Sequence, residues 1–153
     1  MCWSSATRRL VRRHRARAIR FRRMHAVYYR NADGSEPVDD FIDTLPVDVQ
    51  EEIDYTINLL NRLTPTDPPL PFPFSSQVAG QLRELRCHYG RRLFRILYRR
   101  SSNLFILLHT SEKHTAKVPE ADIAIAEARW ADFRARMDAL RRRPPRAAGH
   151  DAP

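Results

Sequence analysis

Two turns too short to span a sheet set the frame for this chain. Gly90-Arg91 separates a strand-like run at 81–89 from another at 92–99, and Ser101-Ser102-Asn103 separates that one from a third at 104–110. Connections of two or three residues force the strands they join to lie antiparallel. The chain is thus committed to an antiparallel meander, and the remaining segments must pack on it. Alternation assigns faces within it. Phe94, Ile96 and Tyr98 fall on one side of the second strand, and Leu93, Arg95, Leu97 and Arg99 on the other. In the first strand Glu84, Arg86 and His88 oppose Leu85 and Cys87. Arg86 and Arg95 are expected on one face. The third strand is apolar on both sides, which suits a central position and leaves its facing open.

Helical periodicity accounts for most of the rest. Residues 25–30 read as a first strand and 31–35 as a turn. Pro37 opens a short helix with Val38, Phe41, Ile42 and Leu45 on one stripe. Pro46 starts a longer one, whose Val49, Ile53, Ile57, Leu60 and Leu63 face inward and whose first turns are acidic. Residues 64–73 hold five prolines, which bars helix and central strand and makes the segment an extended connector. Pro119 opens a last helix striped by Ile123, Ala126, Trp130, Phe133, Met137 and Leu140, and Pro144-Pro145 closes it. The order β-α-α-β-β-β-α describes one α+β domain over 24–143. Residues 1–23 form a basic arm, read as disordered or as the product of a misplaced start, and 144–153 a disordered tail.

The charge is unevenly placed. The formal net charge is +9, and residues 1–23 alone carry nine arginines and no acid. Residues 24–82 sum to −8 and residues 83–117 to +7. A cationic block therefore sits inside the folded body, an arrangement that favours a polyanionic partner. No uncharged apolar run is long enough to span a membrane. Two cysteines without CxxC spacing give neither a disulfide scaffold nor a zinc site, so a reduced, cytoplasmic setting without metal or cofactor is expected. Walker, Rossmann and GxSxG signatures are absent.

The cationic block carries the chemistry. Guanidinium groups on rigid strands match phosphate oxygens, and Arg86 and Arg95 are the candidates to hold a phosphodiester. Cleaving RNA without metal needs a base for the 2′-OH, cations for the pentavalent phosphorus and an acid for the leaving 5′ oxygen. Lys113, His114 and Lys117, in the loop after the last strand, suit proton transfer. Arg83, Arg91, Arg92 and Arg99 are candidate RNA contacts, with a solvated face as the plainer reading. Arg86 also has a plainer reading, as the partner of Glu84 or of the acidic helices. His109, closing an apolar strand, reads as a structural histidine.

Five blocks then come in order: Asp40-Phe41-Ile42-Asp43-Thr44-Leu45-Pro46; Gln81-Leu82-Arg83-Glu84-Leu85-Arg86; Phe94-Arg95-Ile96-Leu97-Tyr98; Leu107-Leu108-His109; and Lys113-His114-Thr115-Ala116-Lys117-Val118-Pro119. Together they resemble the phage-derived HigB-like branch of the RelE/ParE toxins, over about residues 25–135. The resemblance implies a RelE-like fold, with an antiparallel four-stranded sheet, an N-terminal helical hairpin and a C-terminal helix. It also implies the toxin of a type II toxin–antitoxin pair, acting as a metal-independent and ribosome-dependent mRNA endoribonuclease. The implied partners are mRNA, the ribosome and a helix-turn-helix antitoxin of HigA type. Carried over by position, Arg86 and Arg95 would stabilise phosphate, and Lys113 and Lys117 would bind RNA or move protons. The chain departs from the pattern at His114, where a second lysine is usual, and near Ser111, where an aromatic is usual. A ParE-like inhibitor of a protein target such as gyrase, or an inactive remnant that binds RNA or antitoxin, are the alternatives.

Overall fold

The computed structural model describes residues 23–137 and 145–149. All but the last residue of the basic arm, the predicted helix end beyond 137 and the last residues of the tail lie outside them. The elements run β1 (His25–Tyr28), α1 (Pro37–Asp43), α2 (Val47–Asn61), β2 (Ser75–Ala79), β3 (Leu82–Tyr89), β4 (Arg92–Ser101), β5 (Leu104–Glu112), α3 (Glu120–Met137) and β6 (Arg146–Ala147).

One six-stranded mixed sheet, ordered β2-β3-β4-β5-β1-β6, replaces the expected four-stranded antiparallel sheet. Three differences make up the correction. First, β1 runs parallel to β5, with His25 opposite Leu104 and Tyr28 opposite Leu107. The helical hairpin and the meander together form the long crossover that a parallel neighbour needs. Second, polar Ser75-Ser76-Gln77-Val78-Ala79 adds an edge strand to β3, turning through Gly80 at positive φ. Third, the tail expected to be disordered places Arg146–Ala147 against β1. The meander itself follows the sequence reading, and β5 is interior as its two apolar faces require.

Helices cover both faces. On one, α1 and α2 bury Val38, Ile42, Val49, Ile53, Ile57 and Leu60 against Leu85, Phe94, Ile96, Tyr98 and Leu107. On the other, Ala126 and Phe133 of α3 pack on Val27, Leu82, Leu97, Ile106 and Leu108. Each fully buried large apolar side chain contributes about 1.5–3 kcal/mol, so the two layers together hold the sheet. The extended connector lies beside β3, where Arg83 donates to the Leu70 carbonyl at 3.3 Å and the Arg86 amide donates to that of Phe74 at 2.8 Å.

The β4–β5 register slips between Leu97 and Tyr98, which face His109 and Leu107. Leu108 is the extra residue. This β-bulge interrupts the period of two and turns Leu108 and His109 toward α3 in succession. Arg129 of α3 donates to the Leu108 carbonyl at 2.9 Å.

Candidate functional site

The face of the sheet beneath α3 is divided. The helix packs on β5 and β4, and past its N-terminus the face carries ions instead of apolar side chains. Arg86 of β3 and Arg95 of β4 are direct cross-strand partners, so they share this face as alternation requires. Glu84, two residues before Arg86 on β3, joins them. Its carboxylate meets Arg86 Nη1 at 3.0 Å through Oε1 and Arg95 Nε at 2.9 Å through Oε2. Ser76 Oγ of β2 donates to Oε1 at 2.8 Å.

Arg95 is 2% exposed. Its Nη1 donates to the Lys117 carbonyl at 3.1 Å, and its Nη2 to those of Thr115 at 3.1 Å and Ala116 at 2.8 Å. The guanidinium fork is filled by one carboxylate and three carbonyls. The expectation that it grips a phosphate thus meets a different geometry: it ties the 113–117 loop to the sheet. Arg86, with its side chain 12% exposed, is paired with Glu84 and stacked against the Phe72 ring, 5.0 Å from its centroid. The plainer sequence reading of Arg86, a partner for Glu84, describes this contact.

The loop held by Arg95 is the accessible part. His114 and Lys117 are exposed and Lys113 half-buried. The Lys113 amide donates to the Leu93 carbonyl at 2.7 Å, which continues the β4–β5 ladder to the base of the loop. Thr115 Oγ1 closes the loop on the Lys117 carbonyl at 2.6 Å. Lys113, His114 and Lys117 therefore come together on one short, backbone-fixed segment at the open end of the face.

The other predicted contacts scatter. Arg83 points to the opposite face, toward the connector. Arg91 is exposed in the β3–β4 turn. Arg92 makes a bidentate pair with Glu112 at 2.6 and 2.9 Å and stacks on Phe94. That pairing holds the Glu112 carboxyl below the usual carboxylate range. Arg99 lies over Trp130 with its carbon 4.4 Å from the centroid, and 3.6 Å from Glu127. Arg83 thus faces away from the loop, Arg99 shares the face of Arg95 but lies under α3, and Arg92, through Glu112, sits at the base of the loop.

Behind the loop, His109 Nε2 meets Asp122 Oδ1 at 3.0 Å, while Arg129 Nη1 lies 3.3 Å from Nδ1. Ser111 Oγ donates to Asp122 Oδ2 at 3.4 Å. Since Arg129 can only donate, the neutral ring carries its proton on Nε2. His109 thus joins the bulge to α3, in keeping with its reading as a structural histidine. Sequence reasoning missed Glu84 as the hub, together with Asp122 and Arg129. Only Glu84 left a signal, its two-residue spacing from Arg86 on a strand. Among the described residues no cluster of His, Cys, Asp or Glu is arranged to hold a metal ion, and no helix is long and apolar enough to cross a membrane.

The sequence pattern of the phage-derived Gp49-like proteins (DUF891) matches residues 40–131. The chain belongs to this family. Gp49-like proteins are a RelE/HigB-type toxin family of toxin–antitoxin systems. The matched span runs from α1 into α3 and contains every candidate site residue. It leaves out β1 and β6, which frame the far edge of the sheet. A comparison with curated proteins gave no match.

Proposed function

We propose that this Gp49-like chain is the toxin of a type II pair of HigB type and cleaves mRNA, on the ribosome, without a metal. The observation that carries the reading is the fixed loop bearing Lys113, His114 and Lys117 at the mouth of a cationic sheet face. In this reading the RNA backbone lies along the loop. One of the three groups takes the 2′-OH proton, and the 2′ oxygen bonds to phosphorus as the bond to the 5′ oxygen breaks. A second group returns a proton to that leaving oxygen. The remaining cation, with Arg91, offsets the charge growing on the phosphoryl oxygens. Arg95 acts as a positioning residue, since it touches the loop and not the substrate. Arg86 supports Glu84 and the adjoining connector.

The setting is the cytoplasm, where mRNA and ribosomes are found. The partner that restrains the toxin is a cognate antitoxin, of helix-turn-helix HigA type. The +7 segment at 83–117 is a dock for an acidic stretch of it. One observation favours a second reading: Glu84 pairs with Arg86 and Arg95 together and occupies both. A site with two fewer free guanidiniums suits a ParE-like toxin that binds a protein target such as gyrase.

Induced expression separates the two. Wild type should arrest growth with new 5′ ends in cellular mRNA, and His114→Ala or Lys117→Ala should remove both effects. Arrest with intact mRNA and altered plasmid supercoiling would establish the second reading instead.

A further inference from the structure

Phe72 is 69% exposed, the most exposed large apolar side chain among the described residues. It is nonetheless held in place. The Phe74 and Ser75 amides both donate to the Pro71 carbonyl, at 3.0 and 3.2 Å, closing a tight turn around it. The Phe74 carbonyl is then fixed by the Arg86 amide of β3 at 2.8 Å. One side of the ring rests on the Arg86 guanidinium, 5.0 Å from carbon to centroid. Val47 and Tyr55, also exposed, lie on α2 over the opposite face, Ile125 lies on α3, and Phe74, two residues on, is less exposed than Phe72.

An exposed ring backed by a guanidinium is a stacking surface for a flat, electron-rich group. The partner's chemistry follows from what adjoins it. Arg86 meets Glu84, Glu84 meets Arg95, and Arg95 meets the carbonyls of 115–117. An unbroken run of contacts therefore fixes the ring relative to Lys113, His114 and Lys117. The single acid in that run, Glu84, is buried and paired with both arginines, so the surface offered outward is aromatic and cationic. Unpaired nucleotides present that combination in complement, a π-face joined to a phosphate.

We propose that Phe72 is the nucleobase-stacking platform of this site, taking an unpaired base of single-stranded RNA whose phosphates lie along the 113–117 loop. The inference deepens the nuclease reading and rests on its placing of RNA at that loop. Phe72 is a binding residue that orients the strand and takes no part in proton transfer.

The test is a titration of the full chain with a short 2′-O-methyl oligoadenosine, which cannot be cleaved, and with inorganic polyphosphate, which offers charge without bases. Phe72→Ala should bind the oligonucleotide about tenfold more weakly while its polyphosphate affinity and melting temperature stay at wild type. Phe72→Trp should restore the oligonucleotide affinity, with fluorescence quenching on binding that wild type lacks. Equal oligonucleotide affinity for wild type and Phe72→Ala overturns the inference. So does a Phe72→Ala chain that loses its antitoxin and keeps its RNA affinity, because the ring then serves a protein partner. Cleavage with unchanged kcat/KM in Phe72→Ala would also sink it while leaving the nuclease standing. Phe72-dependent binding by a wild type that cleaves nothing supports the platform and overturns the nuclease.

Discussion

At Arg95 the same residue type that suggested catalysis performs a different task. A guanidinium on a strand looks alike in sequence whether it meets solvent or the carbonyls of a loop twenty residues on. Its alternation with Phe94 and Ile96 gave the correct face, because side-chain direction is local. Its burial was not legible, because it depends on where 115–117 folds back. Arg95→Ala should therefore cost about 3–5 kcal/mol, the range for breaking a buried ion pair from one side. Urea unfolding measures it. Arg95→Lys should recover little, since an ammonium cannot fill a planar four-acceptor site. Loss of activity in either variant would then report on loop position, and the exposed His114 and Lys117, with the half-buried Lys113, are the sounder probes of chemistry. Tyr29 offers a pH signature. Burial, and its hydrogen bond to Asp132 at 2.6 Å, push its phenol up to about 12. An unfolded tyrosine ionises near 10, approximately. The fold thus favours the protonated phenol, so this contribution to stability is intact below the unfolded value and is lost as pH rises through the folded one. Melting temperature should fall in that alkaline window, and Tyr29→Phe should reduce the fall.

At the scale of elements, the helices were the most legible part. The stripes of α1 and α2 were read from spacing alone, and Val38, Ile42, Val49, Ile53, Ile57 and Leu60 are buried. The strand at β5 was legible but its facing was not, because it is apolar on both sides and its bulge puts Leu108 and His109 on one side. β2 and β6 escaped for another reason. Neither has apolar alternation, and both are held by partners distant in sequence. Asn61 of α2 is 2% exposed and ties three segments: Oδ1 accepts from the Ala26 amide at 2.8 Å, and Nδ2 donates to the Ala148 carbonyl at 2.8 Å and to Asn58 Oδ1 at 3.3 Å. The Ala148 amide donates in turn to the Ala26 carbonyl at 2.8 Å. Arg146 adds ion pairs to Glu36 and Asp39. Gly149 has φ +86°, and a side chain there would collide with Asn58. Gly149→Ala should release this strap, lowering stability by about 1–2 kcal/mol, with amide exchange speeding up along β1 more than along β3. Asn61→Leu should cost roughly 1–3 kcal/mol by leaving the Ala26 amide without its acceptor.

At the scale of the molecule, the sheet separates two duties. One face is closed by α1 and α2 and supplies most of the core, while the other is closed by α3 at one end and left ionic at the other. That division places a rigid cationic loop at the border of a firm platform, which is what a cleavage site without bound metal would require. The charge blocks in the sequence pointed to a polyanion, but could not say which cations remain free. Within the cationic block, Arg86, Arg92, Arg95 and Arg99 pair with acids or stack on rings, and Arg83 and Arg100 donate to carbonyls. RNA affinity should consequently fall with salt with a shallow slope, set by the few free cations and not by the formal charge of the block.

The most direct measurement is cleavage of ribosome-bound mRNA by purified chain, comparing wild type with Lys113→Ala, His114→Ala and Lys117→Ala variants whose melting temperatures match. Under the nuclease reading, wild type should cleave at discrete sites and at least one variant should lose about a hundredfold or more, in line with the worth of a positioned acid or base. Wild-type cleavage in all three, or an active wild type that arrests translation with every message intact, would contradict it.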